Sequence, residues 1–279
     1  MDYTFSDLIL STITVEAKIS NINFKEKELI ELLSLDDNSD IIKIGCNFKE
    51  YISDKYIELT KPVKKSNRGR KKKVKPISNR KVQGNGKYFN SQITFTILDS
   101  LNKEKFYHLK LFTNGTIQIP YVCNENIEVI NPIINIIINT INKLTNIKID
   151  SEKNIDIVYI KSIMRNYKFN LIQQNIFIDL YKFQNILLNY KNDQYTLDIY
   201  KLYHLELSLI KFFPERYTGI ILKFKTPIPD NDNKLTTVKI FSSGKINIDG
   251  SNTLVESNNI KNIIIYLIEK NIDSILYNK

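Results

Sequence analysis

The chain has 279 residues, 42% hydrophobic and 25% charged. That balance suits one large globular domain or two smaller ones and excludes a disordered polyelectrolyte. Lys and Arg number 40 against 30 Asp and Glu, a net charge of +10 that favours an acidic partner such as nucleic acid. The abundance of Ile, Asn, Lys, Tyr and Phe with no Trp also fits an AT-rich genome whose codon bias supplies lysines. Two cysteines, Cys46 and Cys123, exclude a disulfide framework and a four-cysteine zinc site and point to a reducing, intracellular setting. The two histidines, His108 and His204, both lie inside strand-like alternating segments, which argues against a histidine-based triad or multi-histidine metal site. Met1-Asp2-Tyr3 lacks the basic start of a secretory signal, and the apolar run Ile133 to Ile141, broken by Asn135 and Asn139, is too short to span a membrane.

In chain order, the first half reads as a strand over Ser6 to Ile19, a helix over Phe24 to Leu35 and a strand over Ile41 to Phe48. An insertion at about 49–86 follows. Next come a strand over Phe89 to Leu98, in which Ile93, Phe95 and Ile97 alternate, and a hairpin from Phe106 to Pro120 that turns at Gly115. A helix over about Asn124 to Leu144 closes the half. The second half repeats the order. A strand is predicted over Asn154 to Met164, a helix over Gln173 to Leu188, and strands over Leu205 to Phe213 and Tyr217 to Thr226. A hairpin from Thr237 to Gly250 turns at Gly244. A helix over about Asn252 to Leu276 ends the chain, with Ser251 or Asn252 as its cap. An insertion at about 179–204, rich in Tyr, Leu and Ile, adds packed structure or a partner surface. Phe112 and Phe241 are 129 residues apart, too far for a solenoid repeat. The pattern predicts an α+β fold, internally duplicated, with antiparallel sheet on one side and helices on the other. Its two repeats span 1–148 and 149–279.

The segment Lys61 to Lys87 holds 12 Lys or Arg and no Asp or Glu; the rest of the chain carries 28 basic and 30 acidic residues, about −2 net. The whole positive balance therefore lies in one Gly-, Pro-, Ser- and Asn-containing loop, including Lys64, Lys65, Arg68, Arg70, Lys71, Lys72 and Lys73. Such a run binds phosphates by releasing counterions. Its centre, Asn67-Arg68-Gly69-Arg70-Lys71, resembles an AT-hook that lies along an A·T minor groove, with Lys71 where the usual proline stands. A nuclear-localisation signal or a solvated loop would look the same.

The stretch Glu215-Arg216-Tyr217-Thr218-Gly219-Ile220-Ile221-Leu222-Lys223, then Ile240-Phe241-Ser242-Ser243-Gly244-Lys245 and Gly250, resembles the second half of the TATA-box-binding protein family. Lys87-Tyr88-Phe89 and Leu111-Phe112-Thr113-Asn114-Gly115 are a more remote match to its first half. The resemblance implies a saddle of antiparallel sheet with helices on the convex face and DNA in the minor groove beneath it. Carried over, the intercalating pairs fall on Phe89 with Phe112 and on Tyr217 with Phe241. Lys223 and Lys245 fall where the family has basic residues near the backbone. The asparagines that meet the groove floor fall on Leu8 and Ile160, which cannot donate to base acceptors. The family's last-strand Val and Thr fall on Gln118 with Pro120, and on Asn247 with Asp249. Gln118 and Asn247 retain hydrogen-bonding capacity toward base edges, whereas a carboxylate at Asp249 is repelled by phosphate. Glu215 and Arg216 fall on the second stirrup, where a protein partner is implied.

No phosphate loop, nucleophile elbow or zinc-helix motif occurs. Asp36-Asp37 and Asp230-Asn231-Asp232 read as solvated turns, so neither enzyme activity, metal nor cofactor is expected. The implied function is a transcription initiation factor that binds and bends double-stranded, A·T-rich DNA and engages an initiation factor or RNA polymerase. It would work in a nucleus or, for a viral protein, in the host nucleus or a cytoplasmic virus factory. The alternative is a saddle-fold interaction subunit that has lost sequence reading.

Overall fold

The computed structural model describes residues 3–35, 39–61, 91–99, 102, 104–124, 126–144, 155–172, 176–190, 198, 201–225 and 235–278. The strands are β1 Thr4–Phe5, β2 Ile9–Ile19, β3 Ile41–Gly45, β4 Glu50–Ile52, β5 Gln92–Leu98, β6 Phe106–Phe112, β7 Thr116–Val122, β8 Ile157–Ile172, β9 Ile176–Ile178, β10 Glu206–Lys211, β11 Gly219–Lys225, β12 Leu235–Phe241, β13 Lys245–Ser251 and β14 Leu276–Asn278. The helices are α1 Glu26–Leu32, α2 Asp54–Thr60, α3 Asn131–Asn142, α4 Leu180–Tyr190, α5 Leu254–Glu269 and α6 Ile272–Ile275. The chain packs as two compact units. Unit 1 comprises Met1–Ile13 with Ile163–Lys279, and unit 2 comprises Thr14–Ser162.

In unit 1 the strands lie in the order β10-β11-β12-β13-β8, with β1 also on β8, and every one of these pairs is antiparallel. In unit 2 the order is β2-β7-β6-β5-β3-β4. Alternation decides the faces. In unit 1, Ile220, Leu222, Phe224, Val238, Ile240, Ile246, Ile248 and Phe169 point to one side and are fully buried, sharing a core with Phe183 and Leu187 of α4 and with Ile260, Ile263, Ile264 and Leu267 of α5. In unit 2, Val15, Ala17, Ile44, Phe95, Leu109, Leu111, Ile117 and Ile119 are buried in the same way, as are Leu29 and Ile30 of α1 and Ile134, Ile137 and Ile141 of α3. Burying a Leu, Ile or Phe side chain contributes roughly 1.5–3 kcal/mol, so these faces are committed to the core. The other face of each sheet is the one with chemistry to offer.

Several predicted boundaries shift, each for a local reason. The helix expected from Asn124 begins as a short 3-10 turn, Ile127–Ile130, and becomes α3 where Pro132 needs no N–H partner in the first helical turn. The second-half helix is capped by Thr253, not by Ser251 or Asn252. The Thr253 hydroxyl accepts from Glu256 N at 3.1 Å, and the Glu256 carboxylate accepts from Asn252 N at 2.9 Å, a reciprocal capping box. That helix ends at Glu269, and the chain finishes as β14 paired with β9. The strand expected over Asn154 to Met164 continues as β8 to Ile172, and the helix expected from Gln173 starts only at Leu180. Inside the first insertion, Glu50–Ile52 and Asp54–Thr60 form β4 and α2.

The hairpin glycines sit as the sequence requires. Gly115 and Gly244 have φ of +81° and +77°, and each donates its N–H to the carbonyl of the preceding phenylalanine, Phe112 or Phe241. A Cβ on Gly115 would lie 2.7 Å from the Ile19 carbonyl oxygen, and one on Gly244 would lie 3.0 Å from Leu171 Cβ. At the other end of each hairpin the repeats differ. Gly250 has φ +85°, while its counterpart in the first hairpin, Tyr121, adopts φ +64° with its ring 72% exposed.

Gly244→Ala should lower stability by about 1–2 kcal/mol in urea unfolding, because a β-carbon is forced into left-handed backbone against Leu171. The hairpin ends should respond oppositely. Gly250→Tyr should cost about 1–2 kcal/mol, whereas Tyr121→Gly should leave the unfolding midpoint unchanged or raise it.

Candidate nucleic-acid interface

Strand register sorts the side chains of the helix-free face of unit 1 into rows. One row runs Lys223, Thr237, Asp249, Asn166 across β11, β12, β13 and β8. The next runs Ile221, Lys239, Asn247, Lys168. A third sets Phe241 opposite Gly219, and Lys245 opposite Asn170. Lys223, Lys245 and Asn247, all singled out from sequence, therefore share this face. So do Lys239, Lys168 and Asn166, which sequence reasoning passed over, although they alternate with core residues at the same period of two.

At the end of β12, the Tyr217 and Phe241 rings touch, with centroids 5.8 Å apart and planes at 58°. Gly219 makes room for Phe241, since a Cβ there would lie 3.2 Å from the ring. Both rings are half-buried, which leaves an aromatic edge in reach of a ligand. The preceding turn is closed by Arg216 N and Tyr217 N donating to the Phe213 carbonyl at 2.9 and 2.8 Å, and it leaves Glu215, Arg216 and Phe213 exposed.

Asp249 does not stand as a bare carboxylate. Lys239 Nζ lies 2.7 Å from its Oδ2, with both side chains about one-third exposed. That hydrogen bond raises the Lys239 pKa, holding the ammonium charged, so the pair presents no net negative charge to an approaching phosphate. Asn166 ties the centre of the row together: its Oδ1 accepts from Gly250 N at 2.9 Å, and its Nδ2 donates to the Thr12 hydroxyl at 2.9 Å. Leu8 packs against the core of unit 1, and Ile160 is half-buried in unit 2.

In unit 2 the face turned away from the core carries the matching row Thr94, Lys110, Gln118 on β5, β6 and β7, so Gln118 and Asn247 hold equivalent places, each beside a lysine. Phe112 lies half-buried opposite Gln92, as Phe241 lies opposite Gly219. Its expected partner Phe89 and the basic-loop residues Lys64, Lys65, Arg68, Arg70, Lys71, Lys72 and Lys73 lie outside the described residues.

The outer part of this face differs from unit 1. Here α2 lies over β3 and β6. The Tyr56 ring packs 6.2 Å from Phe106, Lys43 Nζ sits 5.0 Å above Tyr56, and Lys43 pairs with Glu50 at 2.6 Å. Beneath, Thr96 is buried and its hydroxyl lies 3.1 Å from His108 Nδ1. Burial, then Lys43 and Lys110, push the His108 pKa down and keep the ring neutral.

Among the described residues no group of three or more His, Cys, Asp or Glu converges to hold a metal ion, and no helix is long and apolar enough to cross a membrane.

Several known proteins are similar to this chain. Residues 180–271, within unit 1, match the family model "Transcription factor TFIID (or TATA-binding protein, TBP)". The solved structure of Methanococcus jannaschii TBP aligns over 95% of this chain and 99% of its own, with 14% identity and a TM-score of 0.42. Among curated proteins, pB263R of African swine fever virus, named as a candidate TATA-binding protein, is similar over 252 residues. The Kenyan pig isolate's copy is 30% identical, covering 86% of this chain and 80% of the relative, and that of the Badajoz strain is 29% identical over the same span. A relative at that identity, matched over most of both chains, establishes that this chain belongs to the TATA-binding protein family, a family of transcription factors and not of enzymes.

Proposed function

We propose that this protein binds double-stranded, A·T-rich DNA through the sheet faces of its two units turned away from the core, bends it by wedging aromatic rings between base steps, and acts in transcription initiation. The observation that carries the reading is the Tyr217–Phe241 contact at the margin of a face whose rows hold Lys223, Asn247 and Lys245. A ring pair placed at a strand end beside a glycine is suited to prise apart one base step, at a cost of about a few kcal/mol that lysine–phosphate contacts repay. Phe112 with Phe89 would do the same in unit 2. Tyr217 adds a hydroxyl that would take water or phosphate as its partner.

Asn247 and Gln118, each beside a lysine, would hydrogen-bond minor-groove acceptors, a readout that separates A·T from G·C but not A·T from T·A. The basic loop would act as a sequence-independent phosphate tether. Glu215 and Arg216, exposed beside Phe213, would meet an initiation factor or RNA polymerase. The site of action would be a nucleus or, for a viral protein, the host nucleus or a cytoplasmic virus factory. A second reading, a protein-interaction subunit without sequence reading, draws on the apolar Leu8 and Ile160.

A bending assay with end-labelled duplexes decides between them. The intact protein should bind and bend an A·T-rich duplex more strongly than a scrambled one. Tyr217→Ala combined with Phe241→Ala should abolish bending while leaving thermal unfolding near that of the parent. Loss of all binding on deleting residues 61–87, with a steep salt slope beforehand, would instead show the loop alone to be the DNA contact and favour the second reading.

A further inference from the structure

Equivalent positions on the two sheet faces turned away from the core have diverged together. Register places Thr94, Thr96 and Leu98 of β5 where β11 carries Ile221, Lys223 and Lys225, and Phe106 of β6 where β12 carries Leu235. The unit 2 residues are neutral and, at Thr96 and Leu98, buried, although Thr96 faces away from the apolar core. Thr96 lies between Lys43 of β3 and His108 of β6, and α2 stands against that same group through Tyr56. Ser53 caps that helix by accepting from Tyr56 N at 3.2 Å, and its own hydroxyl donates to the Ile42 carbonyl at 2.9 Å, so the helix start is pinned to the sheet. Tyr56 then reaches Phe106 and Lys43, and Lys43, only 12% exposed, is held by Glu50. A lid that opens to admit phosphate would leave basic side chains beneath it. Here the lysine of unit 1 is replaced by a threonine bonded to a neutral histidine, and Lys43, beside the helix, is already paired.

We infer that α2 is a fixed stop for nucleic acid on the face of unit 2: the duplex meets β7 and the Phe112 end of β6 but is excluded from β3 and the Phe106 end. Lysine contacts to phosphate from outer strands are therefore made in unit 1 alone, at Lys223 and its neighbours. The inference rests on the DNA-binding reading given above and adds a direction to it, because a protein with one closed and one open outer face holds DNA in one orientation.

The test uses the full chain and a 30-base-pair A·T-rich duplex (about three helical turns). Binding is measured across a salt series, and amide hydrogen exchange is measured with and without DNA. Lys223→Gln should weaken binding several-fold at about 0.1 M salt and reduce the salt slope by about one. Lys43→Met, which keeps the packing under Tyr56, should match the parent in affinity and slope. Exchange in residues 54–60 should be the same with and without duplex, a readout that needs no variant to fold. A slope reduced by Lys43→Met as much as by Lys223→Gln, equal indifference to both, or faster exchange of 54–60 on adding DNA would overturn the stop while leaving the DNA reading intact. Absence of any duplex binding by the parent protein would overturn both.

Discussion

A β-strand has two sides, and in each unit of this protein one side is spent on the core. The buried set of Ile, Leu, Val and Phe on β11, β12 and β13 fixes register, because a slip of one residue would carry every apolar side chain to the opposite face. Fixed register in turn aligns Lys223 with Thr237 and Asp249, and Lys239 with Asn247. The chemistry available to a partner is therefore a by-product of how the apolar half of each strand was satisfied.

The same constraint explains why the hairpin turns matter more than their length suggests. Each turn glycine donates its N–H to the preceding phenylalanine carbonyl, and a β-carbon there would press hard against a neighbouring strand. The turn thus sets where Phe112 and Phe241 leave their strands. A ring at a strand end is free of the flanking side chains that would enclose it mid-strand. The position of each strand-end ring is in this sense a consequence of turn geometry, and Gly219 extends the same logic across the β11–β12 pair.

Much of this was legible in the sequence. Alternation located the core strands, two turn glycines located the hairpins, and the Ile240 to Lys245 stretch pointed to the family. Local signals failed where a structure is made by distant partners. The strand β9 is three residues long and exists because β14 pairs with it, so neither carried a pattern of its own. The short α2 has a proper Ser53 cap, but its seven residues sit beside an overwhelming charge run that reads as loop. Its significance depends on Tyr56 finding Phe106, which is 50 residues away in the chain. Pairing hid the role of Asp249 as well. Alone it reads as a repulsive carboxylate, and only the register brings Lys239 near enough to neutralise it.

On the proposed reading, the two repeats would make a duplicated fold directional. Identical halves would present identical faces and would be indifferent to which way a duplex lies. Here Tyr121 stands where the other hairpin has Gly250, accepting a left-handed backbone with an exposed ring that recovers little by burial. Thr96 stands where the other sheet has Lys223, and Tyr56 of α2 reaches Lys43 and Phe106 beside it. Both changes fall in unit 2, outside its committed core, where the apolar alternation places no demand on the residue. A double-stranded ligand is nearly two-fold symmetric in its backbone, and the minor groove offers little to tell one A·T orientation from the other. Asymmetry has to come from the protein, and the surface positions released from core duty are where a duplicated sheet is free to supply it.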